Sequence, residues 1–437
     1  MATTVPPPPT HRVTLSASAG GTVRQQSVPS GLDGPVFALH SRAFARDPHR
    51  FYAEMRRYHP DFARVELAPG VIATLVIGWG RGVQILHDSE RFRADPSRWQ
   101  ATMDPRCPVL PMMGARTNAL RSDGYDHRRY REATNAALKA VNLHELHTTV
   151  AKHGRTLIDA IAANGEMDLV ADYASPLAFR TINEIMGCPP EIGAELAAGF
   201  AMMFEAVPNP QKVDAILDAA LGALIDLKRA KPGSDVTTRL IQHAGDMSEQ
   251  EIREQVLTMY AAGIEPFQHL VANTGWLVVT DPRFGGEVVS GACTTHDALN
   301  EVLFRDSPLA NLCVRYPRHP VHYLDGVILP ADQPVLISMA ACNTDPRVTR
   351  PPDATGYIDY SRNVSHLSFS AGAHDCPARD IAYQCAADAI DELFDHLPDL
   401  RLACRPEQLV WRSGPFHRAL KALPVAFKPL TARRARR

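Results

Sequence analysis

Residue types and spacing that could do chemistry are concentrated in Phe369-Ser370-Ala371-Gly372-Ala373-His374-Asp375-Cys376-Pro377-Ala378. This stretch runs into an amphipathic pattern at Ile381, Cys385, Ile390, Leu393, Phe394 and Leu397. A glycine lets the loop turn tightly. A cysteine at the head of the helix that follows meets free backbone N–H groups and the positive end of the helix dipole, and both favour a thiolate. Pro377 suits a first helical turn, where its missing donor costs nothing. A thiolate held this way is a ready axial ligand for haem iron. The competing reading is a buried structural cysteine ahead of an ordinary helix. Zinc fits poorly, because His374, Cys376 and Cys385 lack a paired Cys-x-x-Cys.

Two further groupings lie upstream. His127 and Arg131 stand four residues apart, on one helical face, where two donors suit a carboxylate; a solvated surface is the competing reading. In the second, Ser248 and Glu251 form a capping-box pattern, followed by apolar or small residues at Ile252, Val256, Met259, Gly263, Phe267, Leu270, Thr274 and Leu277. At ~1.5 Å per residue this helix runs roughly 45 Å before Asp281-Pro282 stops it. Pro266 lies inside it and predicts a kink beside Gly263.

The elements that must position these residues are mostly helical. Helical periodicity marks 126–138, 143–163, 213–227, 249–279, 296–304 and 379–397, and strand signals mark 71–77, 327–329 and 335–338. The fold class expected is mainly α with a minor β portion. Residues 1–32, rich in Pro, Ser, Thr and Gly, are expected to be disordered, 33–431 to form a single domain, and 432–437 a basic tail. Gly78-Trp79-Gly80-Arg81-Gly82 lacks a full nucleotide fingerprint and reads as a turn entering a helix.

The chain has 437 residues, 46 Lys+Arg against 48 Asp+Glu, and a net charge of -2, so no general drive toward nucleic acid or an acidic membrane exists. Eight irregularly spaced cysteines do not make a disulfide framework, which points to a reducing cytoplasm. No run approaches the ~20 apolar residues of a membrane helix.

The loop at Phe369, Gly372, Cys376 and Ala378 resembles the cysteine loop of the cytochrome P450 family, Phe-x-x-Gly-x-x-x-Cys-x-Gly, with Ala tolerated at the last position. The likeness extends from about residue 35 to 430. It implies the P450 fold, with a long central helix over a haem b whose iron is bound by Cys376. It places His127, Arg131, Arg315, His366 and His374 on the propionate side, and Phe369, Gly372 and Ala262 against the cofactor. Ala262-Gly263-Ile264-Glu265 resembles the oxygen-binding groove, with Gly263 giving close passage and Glu265 supporting proton delivery. The implied activity is monooxygenation of a small apolar substrate, lodged near Ala262, Gly263 and the loop 99–118, with electrons from NAD(P)H through a reductase and ferredoxin.

Three departures from the family pattern stand out. Pro266 replaces the groove threonine. Phe304 replaces the arginine of Glu-x-x-Arg after Glu301, and Tyr357 stands where a further arginine is expected. Arg305 points about 100° round the helix from Phe304 and is not an automatic substitute; a one-residue slip that keeps Arg305 and puts Val302 at the acid position is the other reading, less favoured because Asp306-Ser307-Pro308 then loses its spacing. Joint loss of both arginines predicts an apolar network with the Tyr357 hydroxyl against Glu301, as in the atypical bacterial P450s without the helix arginine. The alternative function is a haem-binding P450-like protein with little oxygenase activity, or one using peroxide, whose partners include another P450 or a signalling protein.

Overall fold

The computed structural model describes residues 28–204, 210–284, 293–351, 358–361 and 363–429. Tyr357, the segment 1–27 and the tail 432–437 lie outside the described residues.

The strands, in chain order, are β1 (Phe37–Ala38), β2 (Phe62–Ala68), β3 (Val71–Val76), β4 (Phe92–Arg93), β5 (Glu166–Asp168), β6 (Cys313–Pro317), β7 (Val321–His322), β8 (Ile328–Leu329), β9 (Val335–Ile337), β10 (Arg401–Leu402) and β11 (Pro424–Ala426). Six of them form one sheet in the order β1-β2-β3-β9-β6-β4. β2 and β3 make an antiparallel hairpin whose turn holds Gly70 at φ 79°, in the left-handed region that glycine enters freely. β9 then pairs parallel to β3 and antiparallel to β6, with Arg315 opposite Val335. The two remaining sheets are small, β10-β11-β5 and β7-β8.

Helices make up most of the rest, as the periodicity predicts. The longest, Glu249–Thr280, has 32 residues and begins in a complete capping box between Ser248 and Glu251. Pro266 sits inside it without ending it. From Ile264 to Gly275 every position except the proline is buried, so the helix is held on several sides. Its neighbours are the helices Ser175–Ile185, Thr295–Arg305 and Arg379–His396, and the one-turn π-helix Leu169–Ala174. Tertiary packing, not propensity, keeps a proline-bearing helix continuous.

Several helices are shorter on sequence signal than in fact. Pro48–Tyr58, Trp79–His87, Ser175–Ile185, Pro190–Phe204 and Val236–Gln242 escape the periodicity reading. Trp79–His87 follows a Gly78 turn, as the glycine-rich reading expects. Among the described residues no helix is long and apolar enough to cross a membrane.

Candidate haem site

Cys376 lies in a loop tied down at both ends. Its N–H donates to Phe369 O at 2.8 Å, and Asp375 N–H donates to Gly372 O at 3.1 Å. Gly372 has φ 73°, and a Cβ there would stand 2.4 Å from Leu86 O at the end of the helix Trp79–His87. Only glycine fits both the backbone and this approach. Ser370, one of two described non-glycine residues at positive φ (61°), sits 3.5 Å through its Oγ from Cys313 Sγ on β6.

The thiol environment differs from the helix-start expectation. Burial pushes the Cys376 thiol up, opposed by the Ala378 backbone N–H and by the Arg131 and Arg379 charges. Desolvation outweighs the dipole because the cysteine is set into the protein, so deprotonation depends on a cation at sulfur.

Beside this loop is a group of cations and donors that make no ion pair among the described residues, Asp123 alone acting on His127 from a distance. Arg315 on β6 is 4% exposed; its Nη1 donates to Val314 O at 2.8 Å, and its Nη2 is buried with no partner. His127 is buried with an unpartnered Nε2, and its ring lies 4.1 Å from that of His374. His374 Nε2 is 3.0 Å from Ser122 O. Burial, and then the Arg315 and His127 charges, hold His374 down to about 3. His127 is likewise lowered, by burial first and then Arg131. Arg121, which sequence reasoning missed, is buried beside them and donates to Met112 O. A lone arginine between Leu120 and Ser122 gives no periodic signal that could have found it. Buried unpaired donors of this kind are costly unless an anion meets them. The set therefore fits the carboxylates of a haem, with Cys376 Sγ as the iron donor.

Arg131 is placed differently. It donates to Asp375 O at 2.7 Å and pairs with the Asp375 carboxylate, so it clamps the cysteine loop. His366 is not brought to the cluster. Its Nε2 lies 2.7 Å from Tyr383 Oη, its ring meets Phe304 edge-on at 5.4 Å, and Phe369 and Tyr383 flank it. The propionate-side expectation for His366 is corrected: it joins the helices on either side of Cys376. Phe369 also carries Arg379 above its ring at 5.7 Å.

The Glu301 network departs from the apolar expectation. Phe304 does stack on Tyr360, at 4.8 Å and 9°. Glu301, 1% exposed, accepts the Tyr360 N–H at 2.9 Å, but it also meets Arg305 Nη1 at 3.4 Å. The rotation that matters runs from Glu301, and i,i+4 residues share a face, so Arg305 does reach the acid. The expected Tyr357 contact lies outside the described residues.

On the long helix, Ala262 is exposed whereas Glu265 is 4% exposed. Pro266 has no N–H, so the Ala262 carbonyl four residues earlier lacks its helical donor. A Cβ on Gly263 would stand 2.9 Å from Ile182 Cδ1, so the glycine serves packing against Ser175–Ile185. Glu265 is held by His269 Nε2 (3.0 Å) and Arg412 Nη1 (3.1 Å). Against the desolvation that raises it, those partners hold its carboxyl down to about 2. The His269 contact was legible as i,i+4; Arg412, far along the chain, was not.

The loop 99–118 is zipped to the same helix: Gln255 Nε2 donates to Thr117 O at 2.9 Å, and Asn118 Nδ2 to Thr258 Oγ1 at 2.8 Å. Within it Met113 is fully buried in a separate core with Val109 and Trp99, leaving Met112 only partly covered. Met113 thus belongs to the core.

No protein-family model matches the chain. The P450 monooxygenase PikC of Streptomyces venezuelae is 30% identical over 393 residues, spanning 88% of this chain and 92% of that one. Cytochrome P450 107B1 of Saccharopolyspora erythraea is 28% identical over 404 residues, 90% and 98% of the two chains. The structure of CYP154C4 from Streptomyces sp. ATCC 11861 superposes with a TM-score of 0.81 at 26% identity, covering 90% of this chain and 99% of that one. Agreement in sequence and backbone along nearly the whole of each partner shows that the chain belongs to the cytochrome P450 family.

Proposed function

We propose that the protein is a haem-thiolate monooxygenase that inserts one oxygen atom from O2 into a small apolar organic molecule, with NAD(P)H electrons relayed by a reductase and a ferredoxin. The observation that carries this reading is the pair of buried, unpartnered donors on Arg315 and His127 beside the Cys376 loop. Cys376 Sγ would hold the iron, with the Ala378 N–H and the Arg131 and Arg379 charges favouring the thiolate. Arg315 Nη2 and His127 Nε2 would hold the propionates, with Arg121 and His374 alongside. Once bound, the haem supplies reductive activation of dioxygen and oxygen transfer. Residues 33–431 would act as one unit, because these groups come from segments spread along that span.

On the distal side, Ala262 offers a small side chain and a free carbonyl acceptor for water or a substrate hydroxyl. Glu265 is the acid of the proton route. Pro266 supplies no hydroxyl, so Glu265 works without an alcohol partner and must loosen Arg412 or His269 to pass a proton on. The partly covered Met112 lends an adaptable apolar surface to the substrate side. Exposed Arg128 and Arg379 support docking of an acidic ferredoxin at the cysteine-loop face. Phe304 groups the chain with atypical P450s that lack the helix arginine.

A second reading rests on the engagement of Glu265 by Arg412 and His269 next to a proline. On it the protein binds haem but oxygenates little, beside another P450 or a signalling protein, or draws on peroxide. A red-shifted Soret band in the reduced CO complex is expected; protein recovered without haem from cells well supplied with it refutes both readings. Spin-state titration with an apolar compound library, followed by product analysis with ferredoxin or with peroxide, separates them.

A further inference from the structure

Three side chains behind the Cys376 loop, His366, Tyr383 and Asn300, link two backbone groups through hydrogen bonds that each have one possible direction. Ser368 N–H donates to His366 Nδ1 at 3.3 Å, so the neutral ring keeps its proton on Nε2. That N–H donates to Tyr383 Oη at 2.7 Å, which leaves the hydroxyl hydrogen for Asn300 Oδ1 at 2.8 Å. Asn300 Nδ2 donates to Ser361 O at 3.0 Å, a carbonyl that only accepts, so the amide cannot be turned round. Burial, followed by the Arg379 charge, holds His366 down to about 4, in keeping with the neutral ring.

The chain fixes the Tyr383 ring, and other rings hold it from the sides. Phe369 meets it at 5.4 Å, and His296 stacks on it at 6.2 Å and 8°. The Arg379 guanidinium stands 5.8 Å from the centre of the Tyr383 ring and 5.7 Å from that of Phe369, within cation–π reach of both. Its Nη2 donates to Val364 O at 3.4 Å. Phe369 is also the residue whose carbonyl accepts the Cys376 N–H. Arg379 is exposed, yet two rings and a carbonyl set its charge against the cysteine loop.

We propose that Tyr383 is a positioning residue that holds Arg379 as a fixed positive charge beside the Cys376 loop, and that this charge raises the reduction potential of the iron bound there. This rests on the reading of Cys376 as the iron ligand. Reduction from ferric to ferrous adds one electron, delivered by ferredoxin in the proposed activity, and so one negative charge. A cation held nearby favours the form that has gained it. Without the Tyr383 ring, Arg379 keeps its charge but loses its seat, and water screens it.

The test titrates the substrate-free ferric holoenzyme with dithionite and mediator dyes and follows the Soret band. No ferredoxin is present, so a docking role of Arg379 does not enter. Arg379→Gln is expected to shift the equilibrium at least about threefold toward the ferric form, about 28 mV at 59 mV per tenfold. Tyr383→Leu should give most of that shift, and the double variant no more than Arg379→Gln alone, because the tyrosine acts through the arginine. Tyr383→Met, which fills the volume without a ring, takes the place of the leucine variant if that one does not load haem. Shifts that add in the double variant show that Tyr383 acts on its own account and overturn the proposal. So does a parental potential in Arg379→Gln, or in the tyrosine variants alone. A parent whose reduced CO complex lacks the red-shifted Soret band removes the reading of Cys376, and the proposal with it. A normal Soret band with unmoved potentials removes the proposal and leaves that reading standing.

Discussion

Replacing Arg315 by methionine should move stability in opposite directions with and without haem. The guanidinium is 4% exposed, and its Nη2 meets no protein partner. Removing a buried donor that has no partner returns about 1–3 kcal/mol, and losing the Nη1 bond to Val314 O takes back about 1 kcal/mol. The haem-free variant should therefore be as stable as the parent or up to about 2 kcal/mol more so. With haem bound, the same change deletes a charge-assisted bond to a propionate worth about 1.5–3 kcal/mol, a 10- to 150-fold loss of affinity. Urea titrations of iron-starved and haem-replete preparations give the first quantity, and haem transfer to a competing apoprotein gives the second. A haem-free variant destabilised by as much as the loaded one would show that Arg315 serves the fold and would refute its assignment to the cofactor.

Other outcomes follow from single contacts. Gly372→Ala forces a left-handed alanine into Leu86 O, 2.4 Å away, and should cost at least about 2 kcal/mol locally; it is read as a lost thiolate Soret band in a chain that retains its helical circular dichroism. Phe304→Arg breaks the 4.8 Å stack on Tyr360 and buries a charge at a 3% exposed position, so the melting temperature should fall; a clear rise with normal haem loading contradicts this. Glu265, held down to about 2 against an ordinary 4.5, stabilises the fold above pH 4.5 and loses that contribution as pH falls toward 2. Of up to about 3 kcal/mol of acid-dependent stability, about 1.4 kcal/mol falls between pH 6 and about 3.5; that part should be missing in Glu265→Gln, measured as a flatter urea midpoint over the window.

What the sequence made legible was local. The Cys376 loop, the capping box at Ser248 and the i,i+4 pairs can be seen because a few neighbouring residues determine them. The Arg412 contact to Glu265, the Tyr383 contact to His366 and the burial of Arg121 depend on chain segments meeting after folding, and no spacing rule encodes them. The short helices escaped for a different reason: Ser175–Ile185 buries one face through Leu177, Ala178 and Thr181, two of them small or polar, which blurs its apolar stripe. Arg305 is the converse case: its i,i+4 spacing from Glu301 puts it on the acid's face, although it lies about 100° round from Phe304.

The strand order also dictates when the protein can mature. β3 (Val71–Val76) leaves the ribosome early, but its second neighbour, β9 (Val335–Ile337), is made only after the whole long helix, and Cys376 later still. A nascent or truncated chain thus carries an open strand edge for most of its synthesis, a template for wrong pairing. On the proposed haem assignment, capture would come only near release, once β6 has brought Arg315 into the sheet and Gly372 has docked on Leu86. Recombinant yield should accordingly respond to slower translation or added chaperone more than to extra haem precursor.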